Sequence, residues 1–506
     1  MRARPSEPPR WTLDQIAQQV GSTATGSADI TGIALNTAHV MPGDLYAALP
    51  GATAHGASYA QAAREAGAVA ILTDPGGRDL LTERPVDLPL VVVDDPREQL
   101  ADLSAALYDH PSSAFTTIGV TGTQGKTTTT YLAEAALGTH RSAVVGTIGT
   151  RIDRIPAAST LTTPEAPALQ ALFAVMREEA VEALAMEVSS HALVKRRVDG
   201  FAFDIAVFLN LGRDHLDFHE TLEDYFLAKA SLFTPEHARH AVLNADDPYA
   251  LRIRDLTALP VTTFSSEGAA ADWRAVNIRP HRLGTDLEVL GPDGSITELH
   301  VPLAGVFNVS NALAALVALA TAGYQPAELA AGIAASTGVP GRMERVDAGQ
   351  DFTAVVDYAH KPEAVTAVLQ ALRPVTAGRL IVVLGAGGDR DHGKRPLMGR
   401  AAAETADIVI VTDDNPRTES PAAIRAEVLA GAEGAVPTNA GGAGAVVHEV
   451  GDRREAIAHA IALAHRGDTV VVAGKGHERG QEIDGVMHPF DDRETLIDLI
   501  ENGTPA

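Results

Sequence analysis

Cysteine is absent from the 506 residues, which excludes disulfides, a thiolate zinc site and a cysteine nucleophile. Long apolar runs are also missing. None reaches the roughly 18 residues a membrane-spanning helix needs, and the Pro/Arg-rich start, Met1 to Arg10, lacks the apolar segment of a signal peptide. A cytoplasmic protein with a frayed N-terminus is expected. Positive charge is scarce: 40 Lys and Arg stand against 65 Asp and Glu, for a formal net charge of -25. That balance argues against a general nucleic-acid or anionic-membrane surface, so an anionic substrate must meet local Arg and Lys.

What is present is apolar enough to fold. A hydrophobic content of 45% supports substantial cores, and the length suggests about three domains. The organising stretch is Phe115 to Tyr131. A β-branched run, Phe115 to Val120, ends in a Gly-punctuated turn and enters an Ala/Leu-rich stretch of helical composition, the pattern of a strand, phosphate loop and helix. Triphosphate is the expected ligand. Backbone amides of Gly122, Thr123, Gln124, Gly125 and Lys126 would cradle phosphate oxygens, Lys126 would reach the β- and γ-phosphates, and the Thr127 hydroxyl would ligate Mg²⁺. The strict G-x-x-x-x-G-K-[ST] pattern is not met, because Val120 stands where it needs glycine and Gly122 gives a tighter loop.

Upstream, residues 1–112 mix a helix, Leu13 to Val20, with short strands such as Ala68 to Thr73 and Leu90 to Val93, a small mixed α/β domain. Between two Pro-Gly turns lies Asp44 to Leu49, a buried strand by pattern. His110-Pro-Ser-Ser113 reads as a linker. Residues 113–338 alternate strands with helices, as a parallel sheet covered on both faces does. Polar clusters follow its apolar strands: Glu187-Val-Ser-Ser-His191, Asn210-Leu-Gly-Arg-Asp-His215 and Asn244-Ala-Asp-Asp247. Open α/β sheets gather their sites at such strand ends. Glu187 can supply Mg²⁺ with a hard oxygen beside Thr127. His191 and His215 are candidate ligands or neighbours of ligands, and each taken singly is more often a structural histidine. Lys229 alone reads as a solvated helix lysine. Asn308 and Asn311 open an Ala/Leu helix to about Ala322, as a cap or as a nucleotide contact.

Residues 339–506 repeat the theme. Strand-to-loop transitions at Ala354 to His360, Ile381 to Arg390, Ile408 to Arg417 and Val470 to Glu478 predict a second open parallel sheet, Rossmann-like in type. Gly385-Ala-Gly387-Gly388 is half a dinucleotide fingerprint, weak grounds for NAD. The Gly/Ala-rich run Gly431 to Gly444 reads as a flexible surface loop.

These motifs together resemble the Mur ligases, and among them the members that add the third amino acid of the peptidoglycan stem peptide. The likeness spans nearly the whole chain. It rests on Gly122-Thr-Gln-Gly-Lys-Thr-Thr128, Thr162-Thr163-Pro164, Glu187 to His191, Asn210 to His215 and Gly341-Arg-Met-Glu344, followed by Asp357 to His360, Gly387 to Asp391, Asp414-Asn415-Pro416-Arg417 and Gly474-Lys-Gly-His-Glu478. The resemblance implies that ATP is held by Gly122 to Lys126, Thr127, Thr128, Asn308, Arg342 and His360, and Mg²⁺ by Thr127, Glu187, His215 and Lys229. Lys229 matches the lysine that the family carbamylates with CO₂. Lys126, Glu187, His215 and Lys229 would form the catalytic set.

The same resemblance assigns the UDP-muramoyl-dipeptide to Leu35, Thr37, Thr162, Thr163, Ser189, Lys195 and Arg197. Where the family often reads Asp-Ser-Arg this chain has Asn36-Thr37-Ala38, so an arginine is missing near the diphosphate. The implied reaction is attack by a γ-carboxylate on the γ-phosphate of ATP, then by an amine on the resulting acyl phosphate, with closure of the third domain excluding water. The resemblance implies that the third amino acid would be read by Arg390, Asp414, Asn415, Pro416, Arg417, Gly474 and Glu478. Diaminopimelate fits, because its extra carboxylate can pair with Arg417 and Arg390, and its ammonium with Glu478. The meso isomer is the expectation; LL-diaminopimelate, L-lysine, a folylpolyglutamate synthetase-like ligase and a phosphate-loop ATPase switch are the alternatives. A monomer acting on small molecules, without nucleic acid or membrane, completes the expectation.

Overall fold

The computed structural model describes residues 4–157, 161–215, 218–435 and 444–503. The chain divides into two compact units, one of Met1–Arg274, Gly291–Asp293 and Leu313–Gly332, the other of Ala275–Leu290, Gly294–Ala312 and Ile333–Ala506. Both are α/β.

The first unit begins with four parallel strands in chain order, Gly32–Ala34, Asp44–Ala48, Ala70–Thr73 and Leu90–Val92. Asp44–Ala48, set between two Pro-Gly turns, is buried along its whole length. The helix Leu13–Gln19 starts at Thr12, whose side chain accepts from the Gln15 amide in a capping box. Its Leu13 and Ile16 pack with Leu45, Leu72 and with Ala171 and Ala174 of the helix Ala166–Glu178. The expected linker is ordered: Pro111–Ala114 forms a 3₁₀ turn with Pro111 buried.

The start of the chain is not frayed where it is described. Arg4 makes a two-pronged ion pair with the wholly buried Asp44, each nitrogen 2.7 Å from a carboxylate oxygen, and the Ser6 amide donates to Glu178. Local composition misses this because the partner of Arg4 lies 40 residues away. Burying Asp44 requires a cation, and Arg4 supplies it. Arg4→Ala should lower stability by about 3 kcal/mol by orphaning that carboxylate, read as a drop in the chemical-denaturation midpoint.

The phosphate-loop strand Thr116–Thr121 sits inside a parallel array ordered Ser142–Gly146, Ala183–Glu187, Thr116–Thr121, Ile205–Phe208, Ala241–Asn244, Val261–Ser265. The chain builds one side of Thr116–Thr121, then the other, so the order reverses there. The loops after Ala183–Glu187, Thr116–Thr121 and Ile205–Phe208 therefore leave side by side, which is where such sheets open a crevice. A core including Phe173, Phe203, Phe208, Phe226 and Phe233 backs this sheet.

The expected strand and helix alternation does not persist. Three strands, Trp273–His281, Gly284–Leu290 and Ile296–Val301, follow one another, the last two antiparallel. In Gly284–Leu290 the buried Leu287 and Val289 alternate with less buried Asp286 and Glu288, a period of two rather than a helical period.

In the second unit the sheet order is Glu344–Val346, Thr353–Asp357, Thr469–Ala473, Leu380–Leu384, Ile408–Val411, Val446–Glu449, parallel except for the first strand. The last-formed strand, Thr469–Ala473, inserts between Thr353–Asp357 and Leu380–Leu384, so the four predicted motif ends emerge from adjacent strands. The glycines at 387 and 388 serve packing: a Cβ at Gly388 would come 1.9 Å from the Pro416 carbonyl oxygen. Of the run expected as a loop, Gly431–Glu433 ends the helix Pro421–Glu433, and residues 436–443 lie outside the described residues.

Candidate functional site

Gly125, with φ of +88°, turns the chain into the helix Lys126–Ala136. The loop before it is braced. Asn210 Oδ1 accepts from the amides of Thr123 at 3.1 Å and Gln124 at 2.9 Å, and its Nδ2 donates to the Gln124 carbonyl. Two amides of the expected cradle are thus engaged by Asn210 in this structure. The donors at the helix start, Gly125 to Thr128, are the ones a helix leaves without internal acceptors. Thr127 and Thr128 are buried there.

Lys126 Nζ folds over its own loop, donating to the carbonyls of Gly122 at 2.7 Å and Thr123 at 3.2 Å. Lys229, expected to be solvated if read alone, is instead 1% exposed and also donates to the Gly122 carbonyl, at 3.0 Å. Burial first, and the nearby Lys126 charge second, push its amine well below the ordinary lysine range, with Asp214 opposing. Its Nζ lies 4.6 Å from the Tyr225 ring centre. Tyr225, one helical turn before it, reaches Thr123 Oγ1 at 3.2 Å and stands 6.1 Å from the His215 ring. Only its helical spacing from Lys229 hinted at this joining role.

Glu187 is fully buried at the end of Ala183–Glu187. Its carboxylate accepts from the Thr147 amide at 2.8 Å and the Thr147 hydroxyl at 3.1 Å. Thr147 Oγ1 lies 3.2 Å from Thr162 Oγ1, Thr163 donates to the Glu187 carbonyl at 2.8 Å, and the Ser189 amide donates to Thr163. Arg197 binds Glu165 and the Thr163 carbonyl. Thr162, Thr163, Ser189, Arg197 and Glu187 thus form one network. Lys195 is exposed. His215, at φ +52°, lies 3.5 Å from Asp214 and packs its ring edge-on to His191 at 4.8 Å. Leu35 and Thr37 follow the strand Gly32–Ala34, where Asn36 Oδ1 caps the Ala38 amide, a task Asp would share. Gly146 is needed beside Glu187, since a Cβ there would come 2.2 Å from Glu187 Oε1. Gly146→Ala should cut turnover about 10-fold by displacing that carboxylate, with circular dichroism unchanged.

In the second unit Arg342 lies over the Tyr358 ring at 4.2 Å and near His477. Burial pushes His360 and His477 down to about 4, so both are neutral at neutral pH. His360 Nδ1 donates to the Tyr358 carbonyl at 2.8 Å, which leaves Nε2 as an acceptor. Asn308 is buried in the first turn of the helix Val306–Thr321, donating to the Ala304 carbonyl and accepting from Asn311.

The loop Asp414 to Arg417 meets Gly474 to Glu478. Asn415 Nδ2 donates to Glu478 at 3.0 Å. Arg417 gives Nε to Glu482 at 3.1 Å and Nη1 to the Gly388 carbonyl at 2.6 Å, so part of its fork is spoken for. Arg390 is exposed. Glu482, on the hairpin Gly480–Ile483 and Val486–Pro489, carried no sequence signal.

One further cluster has metal-type donors, His281, Asp286 and His300. The Leu283 amide donates to His281 Nδ1 at 3.2 Å, which puts the ring proton on Nε2, the atom facing Asp286. Asp286 pairs with His300 Nδ1 at 2.8 Å and stands 3.4 Å from His281 Nε2, and no metal is assigned to the three.

Three family models match the chain: "Mur ligase family, catalytic domain" over residues 29–108, "Mur ligase middle domain" over 120–319, and "Mur ligase, glutamate ligase domain" over 341–476. A UDP-N-acetylmuramoyl-L-alanyl-D-glutamate--2,6-diaminopimelate ligase of Streptomyces coelicolor is 54% identical over 97% of this chain and 96% of its own. The chain belongs to the Mur ligase family. A solved structure of a ligase of that same description is 34% identical, with a TM-score of 0.65 over 93% of this chain and 95% of its own. The Mycobacterium tuberculosis folylpolyglutamate synthase complexed with ADP and AMPPCP shares the fold alone, at 20% identity and a TM-score of 0.58 over 73% of this chain and 91% of its own. As a Mur ligase, the chain is an enzyme that uses ATP as a substrate together with other small molecules. Among its described residues no helix is long and apolar enough to cross a membrane.

Proposed function

We propose that this ligase joins meso-2,6-diaminopimelate to UDP-N-acetylmuramoyl-L-alanyl-D-glutamate, cleaving ATP to ADP and phosphate. The observation that carries the ligase and its 2,6-diaminopimelate substrate is the 54% identity, across nearly the full chain, to a UDP-N-acetylmuramoyl-L-alanyl-D-glutamate--2,6-diaminopimelate ligase; the meso isomer is part of the proposal. The arrangement of Asn415, Arg417 and Glu478 around one loop supports the amino-acid choice.

Residues 1–112 are assigned to the UDP end, 113–338 to ATP and 339–506 to the amino acid; the three family matches fall within these bounds. Leu35 and Thr37 would contact the nucleotide, and Thr162, Thr163, Ser189, Lys195 and Arg197 the dipeptide. Thr127, Glu187, His215 and carbamylated Lys229 would hold Mg²⁺, a hard oxygen-seeking cation. The residues fit: Glu187 is a buried carboxylate anchored by Thr147, and Lys229 is a buried amine pushed toward its neutral form. Mg²⁺ supplies charge neutralisation at the phosphates.

The amides of Gly125 to Thr128, together with Lys126, would orient the γ-phosphate for attack by the D-Glu γ-carboxylate; ADP leaves and an acyl phosphate remains. The free amine then attacks the acyl carbon, phosphate departs, and the amine gives up its proton. Arg342, His360 and Asn308 are assigned to the nucleotide, and Arg390 with the loop Asp414 to Arg417, Gly474 and Glu478 to diaminopimelate. A monomer in the cytoplasm suffices for this chemistry and completes a step of peptidoglycan synthesis.

The test is ADP release with each substrate omitted in turn and with a panel of meso-diaminopimelate, LL-diaminopimelate and L-lysine. Turnover should need both the UDP-dipeptide and the meso isomer. Equal release without an amino acid, or equal use of lysine, overturns the assignment.

A further inference from the structure

Lys475 lies within the diaminopimelate motif but exposes none of its side chain, so it meets no solute. Its ammonium is held 2.8 Å from Asn415 Oδ1 and 2.7 Å from the Gly480 carbonyl. Two carboxylates flank it, Asp414 at 3.5 Å and Glu478 at 3.7 Å. A buried cation persists only when so surrounded.

The consequence runs through Asn415. Its side-chain amide has an oxygen end and a nitrogen end that can exchange places. Lys475 Nζ and the Glu482 amide, the latter 3.0 Å away, are both donors and both aim at the same atom. Only the oxygen can accept them, so the nitrogen must face the other way, where it donates to Glu478 Oε2 at 3.0 Å. Lys475 thereby fixes which way round Asn415 stands, and Asn415 fixes Glu478.

We infer that Lys475 is a positioning residue for amino-acid selection: through Asn415 it holds the Glu478 carboxylate in the orientation that receives an ammonium of the incoming amino acid. This rests on the reading that Glu478 and its neighbours take diaminopimelate. Without Lys475 the Asn415 oxygen keeps only the Glu482 amide as a donor, so the side chain turns its oxygen toward Glu478 more readily, and Asp414 and Glu478 lose the cation between them. Two acceptors would then face each other, and the ammonium subsite would be spoiled while the phosphate loop, in the other unit, keeps its own bonds.

The test is Lys475→Met, close in shape and without charge, with steady-state kinetics for each substrate. The KM for diaminopimelate should rise about 10-fold or more, with the KM values for ATP and the UDP-dipeptide within about 2-fold of wild type. Adding Lys475→Met to Asn415→Ala should worsen the diaminopimelate KM little further, because the two act in series. An unchanged diaminopimelate KM in Lys475→Met overturns the inference, as does a parallel loss for all three substrates, which marks general structural damage. Should Lys475→Met fail to fold, Asn415→Ala is read alone, and an unchanged KM there overturns it equally. If wild-type enzyme rejects diaminopimelate, the substrate reading fails by itself, and the same comparison is made with the amino acid it does accept.

Discussion

Lys229→Ala should lower kcat by about 10³-fold, a loss on the scale of removing a preorganised electrostatic group from an active site. The side chain is buried beside the phosphate loop and shares the Gly122 carbonyl with Lys126. A protonated Lys229 would set two ammonium groups against one carbonyl oxygen in a site meant for polyphosphate. Burial and Lys126 together disfavour that charge and push the group toward the neutral amine. Such an amine can attack CO₂, forming a C–N bond and releasing a proton, and the product is an anion. That anion is what a hard metal can use. Acetate or formate should restore part of the activity of Lys229→Ala by occupying the vacated space, whereas methylamine should not. The pH dependence has a definite sign: as pH falls through the lowered amine pKa the nitrogen protonates, carbamylation is lost, and activity declines on the acid side. Added bicarbonate should move that decline to lower pH. Wild-type turnover in Lys229→Ala, or rescue by the amine, removes the carbamate from the mechanism.

Much of this was legible because phosphate chemistry constrains the backbone as well as the side chains. The strand Thr116–Thr121, the glycine turn and the helix at Lys126 are local, and local patterns carry them. The four motif-bearing strands of the second unit were likewise visible as short β-branched runs ending in polar residues. Partnerships between distant residues were not legible. Nothing near Asn210 announces that it would take two loop amides, and nothing near Arg4 announces Asp44. Taken alone, the helix around Lys229 suggests a solvated lysine, and its burial is not visible locally because exposure depends on what packs over that face. The strands from Trp273 to Val301 were missed because the alternation of the preceding region was carried forward past the point where the period changed to two. Glu482 and Lys475 act through side chains whose partners are set by how a hairpin folds back, and no spacing rule encodes that.

Arg417→Ala should reduce kcat/KM for diaminopimelate by about 10²-fold to 10³-fold, the cost expected when a charge-assisted pair loses one partner, and leave the KM for ATP unchanged. The argument turns on how the guanidinium is used before substrate arrives. Its Nε is given to Glu482 and one Nη1 proton to the Gly388 carbonyl; the backbone is held as well, its amide donating to the Glu482 carbonyl and its carbonyl accepting from the Asp484 amide. Arg417 is therefore fixed in place by contacts that leave part of its fork for a ligand. A carboxylate there gains a bidentate or side-on partner at little ordering cost. Lysine as the amino acid offers no distal carboxylate, so it would leave those donors without an acceptor in a partly buried site, a penalty of the kind that gives strong discrimination. Removing the guanidinium erases the reward for the second carboxylate but also the penalty for lacking it. The ratio of diaminopimelate to lysine use should accordingly collapse toward unity in Arg417→Ala, while Arg417→Lys, which keeps charge but loses the fork, should fall between. An unchanged ratio in Arg417→Ala would mean that the pair with Glu482 is only a structural tie and that selection is made elsewhere.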